Sequence, residues 1–309
     1  MGKRSRTKTR DQAVPAGEVG PRQPCPCGSG RRYKACHGAA GGAPDVYVSR
    51  PFEGMPSECD VVALRELVPA ATAPLTLKDS DRVVKLCSLL PMAAPAMVRD
   101  SGEVWLGLQV QHNFGDPARD LGAVLTRALE AETGIVGLTD PPGEGPRLQD
   151  LITDTTLDVT VHDGFDYWIA DVEDKADMAA ALEQANASAS PTARLASVEA
   201  AYWTSMGAKE HLRWVMPEPE DRLLDALARL HAAGQDELAP GSRGGGMFRA
   251  HGLLAPVWDL TPGTGAEVLE EPAAAFASAL ADALADRSDL TAEQRAARSG
   301  LANRQVTIR

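Results

Sequence analysis

The chain has 309 residues, of which 44% are hydrophobic and 24% are charged, and its formal net charge is −12. These values are typical of a water-soluble globular protein and allow two domains, or one large domain with appendages. The longest uncharged run, residues 86–98, is too short to cross a bilayer, so we expect no membrane span. The start of the chain is basic but has no apolar segment, which argues against a secretory signal.

The charge is distributed unevenly along the chain. Residues 1–37 carry nine Lys or Arg against Asp11 and Glu18, a formal +7, which leaves −19 on the remaining residues. A basic segment ahead of an acidic body favours a polyanionic partner for that segment. The alternative is a solvated tail that lies against its own acidic body, and the sequence leaves both open.

Residues 25–37 contain three cysteines and one histidine in the pattern C-x-C-x8-C-H. The four are Cys25, Cys27, Cys36 and His37. Three thiolates and an imidazole suit a closed tetrahedral zinc site, which leaves no open position for chemistry. So short a segment cannot bury a core of its own, and it generally needs a metal or disulfides to fold. The close C-x-C spacing and the adjacent Cys-His favour the metal, so the sequence predicts one zinc per chain.

This segment resembles the SEC-C motif, whose pattern of C-x-C-G-S-G, two basic residues, Tyr-Lys and a final Cys-His matches it at nearly every position. The motif is best known at the end of the ATPase motor of bacterial protein export, where it binds zinc and docks an export chaperone, and it also occurs on many unrelated bacterial proteins. The resemblance implies the same four ligands. It also implies a contact face made of Arg31, Arg32, Tyr33 and Lys34.

The composition along the chain predicts five segments. Residues 1–23 are expected to be a disordered basic tail, 24–38 the SEC-C zinc module, and 39–48 a linker rich in Gly and Ala. Residues 49–190 and 191–309 are predicted to form two α+β halves. The chain as a whole also resembles an uncharacterised bacterial family in which a SEC-C segment precedes such a body, and that resemblance implies no activity.

The body is predicted to consist of repeated units, each a β-hairpin followed by a helix, after one helix over residues 58–68. The paired strands are expected at 96–99 and 103–110, 157–161 and 165–170, 201–205 and 211–216, and 247–250 and 254–260. The helices that follow them are expected to begin near residues 116, 174, 218 and 271, three of them at an acid followed by proline. The fold class is therefore α+β, with an antiparallel sheet covered by helices.

The second strand of each predicted unit carries one tryptophan, and the four are Trp105, Trp168, Trp214 and Trp258. They could line a ligand groove or form the core of each unit, and the core is the more common role for an aromatic residue at an equivalent strand position. After the last unit, Thr291 is expected to open a short helix, and residues 303–309 to pair at a sheet edge.

No catalytic and no cofactor-binding residue can be predicted from the sequence. The loop Gly263-Thr264-Gly265 follows a strand, but no further Gly or Lys completes a nucleotide motif. The remaining thiols are Cys59, whose acidic neighbours should raise its pKa, and Cys87, which is expected in the core. This cysteine usage fits a reducing cytoplasm.

Three functions are compatible with these patterns. The first is a zinc-binding interaction or adaptor protein whose SEC-C segment docks a protein or ribosome-like partner. The second is a nucleic-acid binder that uses the basic segment, although its acidic body would repel a long polyanion. The third is an enzyme whose site is assembled from residues distant in sequence, which a fold alone does not exclude.

We expect purified protein to contain one tightly held zinc, because the four donors complete a tetrahedral shell. Replacement of one ligand in Cys36→Ser should remove most of the metal, as measured by elemental analysis. A Cys36→Ser protein that keeps a full equivalent of zinc would contradict the predicted ligand set.

Overall fold

The computed structural model describes residues 22–23, 32–35, 47–170, 172 and 178–308, together with the backbone but not the side chain of Arg243. The chain divides into two compact units, residues 1–47 and 48–309, and each is described by itself. In the first unit, Tyr33–Ala35 form one 3-10 turn, and the Tyr33 N–H donates to the Gln23 carbonyl at 2.8 Å. The predicted disordered tail and the linker lie almost entirely outside the described residues.

The described part of the second unit contains seven α-helices. They are α1 (Glu58–Glu66), α2 (Pro117–Glu130), α3 (Leu148–Leu151), α4 (Ala179–Ser188), α5 (Glu220–Ala232), α6 (Glu270–Ala285) and α7 (Ala292–Ala302). None of these helices is long and apolar enough to cross a membrane. The predicted start of a helix near residue 174 lies outside the described residues.

Local capping explains where two of these helices begin. The Asp116 carboxylate accepts from the Arg119 N–H at 3.3 Å, and Pro117 occupies the first position of α2, as predicted. Thr291 and Gln294 form a reciprocal capping box at the start of α7. At α5 the N-cap is Pro219, which makes no side-chain capping bond.

The strands form two six-stranded sheets. The first contains β1 (Ala71–Leu75), β2 (Val84–Cys87), β3 (Ala96–Val98), β4 (Val104–Gly107), β5 (Gly134–Val136) and β6 (Thr160–Val161), in the spatial order β5-β3-β4-β2-β1-β6. The second contains β7 (Thr192–Arg194), β8 (Ala201–Met206), β9 (Lys209–Trp214), β10 (Arg243–Ala250), β11 (Leu253–Leu260) and β12 (Gln305–Thr307), in the order β12-β10-β11-β9-β8-β7.

The predicted α+β class is confirmed, and the sheets are mixed, because each contains one parallel pair. These pairs are β2 with β4 and β10 with β12, and the other neighbours are antiparallel. The hairpin–helix prediction is correct for β3–β4–α2, β8–β9–α5 and β10–β11–α6. The predicted pairing of the last residues at a sheet edge is also correct, since β12 lies beside β10 at the end of the second sheet.

The second predicted hairpin is wrong. Residues 165–170 were expected to be a strand, but Asp166–Ile169 form a 3-10 turn. The Tyr167 hydroxyl and the Trp168 Nε1–H both donate to the Leu89 carbonyl, at 2.8 and 3.0 Å. Successive side chains of a strand point to opposite faces, so two neighbours that bind one acceptor require a turn.

Two large apolar clusters form the core of this unit. One combines α1 and α2 with one face of the first sheet and with residues of the second sheet, including Tyr202, Val215, Ala250, Leu253 and Ala255. The other packs α5, α6 and α7 on the opposite face of the second sheet. Because the first cluster contains strand residues from both sheets, the two sheets share one core, with α1 in contact with each.

Helix α1 is tied to the rest of the unit by polar groups as well as by packing. Asp60, which is 2% exposed, accepts from both arms of the Arg194 guanidinium at 3.1 Å and from the Tyr202 hydroxyl at 2.6 Å. The hydrogen bond to Asp60 raises the pKa of Arg194. At the other end of α1, Glu66 pairs with His251 at 2.7 Å. These pairs fix the helix against the second sheet.

Candidate functional site

The predicted zinc ligands Cys25, Cys27, Cys36 and His37 lie outside the described residues, as does Arg31. Three residues of the predicted contact face are described. Arg32 and Lys34 are exposed and Tyr33 is half-buried, which leaves both charges available to a partner. Among the described residues, no group of three or more His, Cys, Asp or Glu side chains is arranged to hold a metal ion.

The pKa of Cys59 is raised, as expected from its acidic neighbours, and Cys87 lies in the core, as predicted. Burial raises the pKa of Cys59 to about 12, and the neighbouring Glu58 and Asp60 charges add to the effect. Burial also raises the pKa of Cys87 to about 12 within β2, where the residue is fully buried. A thiol must lose its proton to attack, so neither serves covalent catalysis near neutral pH.

The loop Gly263-Thr264-Gly265 does cradle an anion, but the anion belongs to the chain itself. The Gly263 and Gly265 N–H groups donate to the Glu210 carboxylate at 2.6 and 3.0 Å. The Trp203 Nε1–H donates to the same carboxylate at 2.9 Å. Burial alone would raise the pKa of Glu210, but these donors outweigh it and hold the pKa below its ordinary value. An external phosphate would have to displace this side chain.

Four of the five histidines of the second unit each contact a different polar side chain. His162 contacts the Thr72 hydroxyl at 2.9 Å, and His211, His231 and His251 each pair with a different carboxylate. Desolvation lowers the pKa of His162. These four histidines therefore have different partners.

Three of the four tryptophans belong to the core. Trp105, Trp214 and Trp258 are 4%, 6% and 3% exposed, and the last two pack against Phe276 with ring centroids 5.8 and 5.3 Å away. Trp168 differs because it lies in the 3-10 turn, half-buried, and lines a cavity. Of the four tryptophans considered in the sequence, the three that lie on strands therefore have the predicted role in the core.

Among the cavities on the described surface of the second unit, three have side chains of interest. The largest of these three, of about 690 Å³, is apolar and lies between α4 and residues 91–99. A second, of about 390 Å³, lies beside Cys59 and α6. The third, of about 260 Å³, lies on the second sheet, and its lining is the most polar of the three. We call it the arginine cleft, and its polar lining consists of His211, Arg213, Gly245, Gly246, Asp259 and Arg304.

Comparison with known proteins gives two family matches. Residues 51–309 match the model of a family of unknown function, DUF5926, and residues 22–39 match the SEC-C motif. No curated protein and no solved structure matches the chain. The two matches are separated by residues 40–50, and the DUF5926 match covers nearly the whole of the second unit.

Glu210→Gln should destabilise the protein at neutral pH by about 1–3 kcal/mol, because the glycine loop and Trp203 lose a charged acceptor. The folded-state pKa of Glu210 is depressed, so its contribution is complete above an unfolded-state pKa of about 4.3 and declines as the pH falls through the folded-state value. Chemical denaturation of both proteins across this pH range measures the difference.

The matched control is Glu271→Gln, in which an exposed carboxylate of α6 is changed in the same way. That control should shift the free energy of unfolding by less than about 0.5 kcal/mol. Equal stability of the Glu210→Gln variant and the wild type at neutral pH would contradict the role of the loop.

Proposed function

Because the chain belongs to the DUF5926 family and carries a SEC-C motif ahead of that region, we propose that it is a zinc-binding interaction protein. The SEC-C match over residues 22–39 is the observation that carries the proposal, since this motif is in general a zinc-binding one. The SEC-C segment docks a partner, and the α+β body is the unit delivered to that partner.

The donor set of the segment fits a structural zinc site. Cys25, Cys27, Cys36 and His37 supply the sulfur and nitrogen that Zn²⁺ prefers, with no ligand left to water or substrate. In small metal-dependent peptides, zinc contributes about 10–16 kcal/mol to folding. The zinc therefore shapes the docking surface and takes no part in chemistry.

The charges of the segment favour a partner with an acidic surface. Arg32 and Lys34 are exposed on either side of Tyr33, and residues 1–37 carry a formal +7. A long nucleic acid would also meet the acidic remainder of the chain, residues 38–309, whose formal charge is −19, and would be repelled by it. A folded protein, alone or within a ribosome-like assembly, presents a compact acidic surface and avoids that repulsion.

The chemistry of the body supports a binding role rather than catalysis. Its two thiols have pKa values near 12, and the glycine loop that would suit a phosphate binds Glu210 instead. Perturbed groups at enzyme sites usually converge on one cleft, whereas these lie apart and are satisfied by their own neighbours.

The test is a pull-down with the full chain and with its Cys25→Ser, Cys27→Ser double variant, followed by identification of the bound proteins. The double variant should lose both its zinc and the partner, and chelation of the wild type should release the same partner until zinc is restored. Cys59→Ser is the matched control, because it removes a thiol of the body and leaves the SEC-C ligands intact. This control should keep metal and partner.

A partner that remains bound after loss of zinc would contradict the proposed docking role. A nucleic-acid function predicts a different result, namely affinity that falls with salt at a log–log slope near −0.9 per phosphate contact. Tight, sequence-selective binding of a nucleic acid at physiological salt, lost in the double variant, would replace the protein-docking proposal.

A further inference from the structure

One face of the second sheet carries core residues in one part and an open cleft in another. Tyr202 and Val215 on this face belong to the core cluster that contains α1. Farther along the same strands, His211, Arg213 and Asp259 line the arginine cleft. Because residues two apart on a strand share a face, Val215, Arg213 and His211 form one row that runs from the core to the open cleft.

The floor of the cleft depends on glycine. The β10–β11 register shifts between Gly244 and Gly246, so Gly245 is a bulged residue without a partner on β11. A Cβ at Gly245 would lie 2.8 Å from the Asp259 carboxylate, and one at Gly246 would lie 2.8 Å from the Arg304 carbonyl. Side chains at these positions would fill the hollow, and Gly246 also has a φ of +146°.

Arg213 enters the cleft with no carboxylate to balance its charge. Its guanidinium contacts the Leu67 carbonyl at 3.4 Å and the Met206 sulfur at 2.7 Å, and its Nε is enclosed without a hydrogen-bond acceptor. Within the described residues, no acid lies within ion-pair distance of it, and burial lowers its pKa. An unbalanced cation held partly out of water is costly, so a folded chain that keeps one gains when an anion arrives.

A second arginine lies on the other side of the cleft. Arg304 donates to the Gly244 carbonyl at 2.9 Å and to the Gly300 carbonyl at 3.3 Å, both of them neutral acceptors. The single acid in the lining of the cleft is Asp259, which is paired with His211 at 2.9 Å. The lining therefore contains two arginines and one carboxylate that already has a partner, so the cleft carries a net positive charge.

The rest of the lining is apolar and includes Phe248, Val257 and Val306. We propose that the arginine cleft binds a small carboxylate that carries an apolar group, with the carboxylate on Arg213, the positive charge of Arg304 elsewhere in the lining, and the apolar group against these three side chains. A planar guanidinium matches a carboxylate in geometry. The volume of about 260 Å³ suits a small ligand, and the nearby Asp259 disfavours a dianion such as phosphate.

This ligand could be a free carboxylic acid or the C-terminal carboxylate of a peptide, and the two share the chemistry on which the proposal rests. The inference does not depend on the function of the SEC-C segment. Failure of either proposal leaves the other intact, because one concerns zinc and residues 22–39 and the other concerns the second sheet.

The experiment is to titrate isocaproate into the full-length zinc-loaded protein and to measure binding by calorimetry and by NMR. Isohexanol serves as the matched uncharged probe. A peptide that ends in leucine, with a free or an amidated C-terminus, distinguishes the two sources of carboxylate. Isocaproate should bind and isohexanol should not. Binding of the free-acid peptide but not of its amide would extend the site to peptide C-termini, and binding of isocaproate alone would restrict it to free acids.

Arg213→Met should weaken isocaproate binding about tenfold or more, since it removes a charged donor. The variant should melt at the same or a higher temperature than the wild type, because methionine fills the same space without an unbalanced charge. Arg304→Gln, which changes an exposed side chain, should also weaken binding. The control is Arg295→Met on the exposed surface of α7, which should bind as the wild type does.

Absence of isocaproate binding at millimolar concentration would overturn the proposal, as would equal affinity for isohexanol. Unchanged affinity in both Arg213→Met and Arg304→Gln would place the ligand elsewhere and overturn it as well. Tighter binding of inorganic phosphate than of isocaproate, lost in the same variants, would overturn the choice of an apolar carboxylate.

Discussion

The body of this protein depends on one buried charge cluster at the start of helix α1. Asp60 is 2% exposed, and an unpaired carboxylate there would strongly destabilise the fold. Arg194 and Tyr202 prevent this by supplying three hydrogen-bond donors to it. Both partners belong to the second sheet, while the apolar side of α1 packs in the cluster that contains the first sheet. The pairing therefore orients α1 and joins the two sheets. Removal of one partner from such a cluster typically costs about 3–5 kcal/mol.

Elsewhere in the described body, many polar and charged side chains are also paired with one another, which leaves few of them free to act on a ligand. Glu210 occupies the glycine loop, Asp116 caps α2, and four of the histidines contact separate neighbours. Groups that are satisfied within the fold are poor catalysts and poor ligand anchors, which is why the proposed docking role falls to the SEC-C segment. The arginine cleft stands apart, because there the chain holds a guanidinium without a balancing acid.

Local patterns in the sequence predicted the elements whose structure depends mainly on interactions between residues that are close in sequence. The start of α2 at Asp116-Pro117, the hairpins that turn at Gly207 and Gly252, and the buried position of Cys87 all follow from spacing and residue type. Residues 165–170 alternate like a strand but form a turn, in which Tyr167 and Trp168 share the Leu89 carbonyl as acceptor. This acceptor lies 79 residues from Trp168, so local sequence patterns do not reveal the contact. The arginine cleft could not be predicted from the sequence either. Arg213 lies on β9 and Arg304 just before β12, and only the order of the strands in the folded sheet places both in the lining of one cleft. The choice between groove and core for the tryptophans also required tertiary contacts.

Native-state hydrogen exchange of the α1 amides tests whether this helix joins the two sheets. We expect the N–H groups from Val61 to Leu64 to exchange only through global unfolding, with the same free energy as those of β8 and β9, because opening α1 exposes Asp60 and separates the shared core. The contradicting result would be exchange of the α1 amides through a local opening, at a free energy well below the global value and with both sheets still protected.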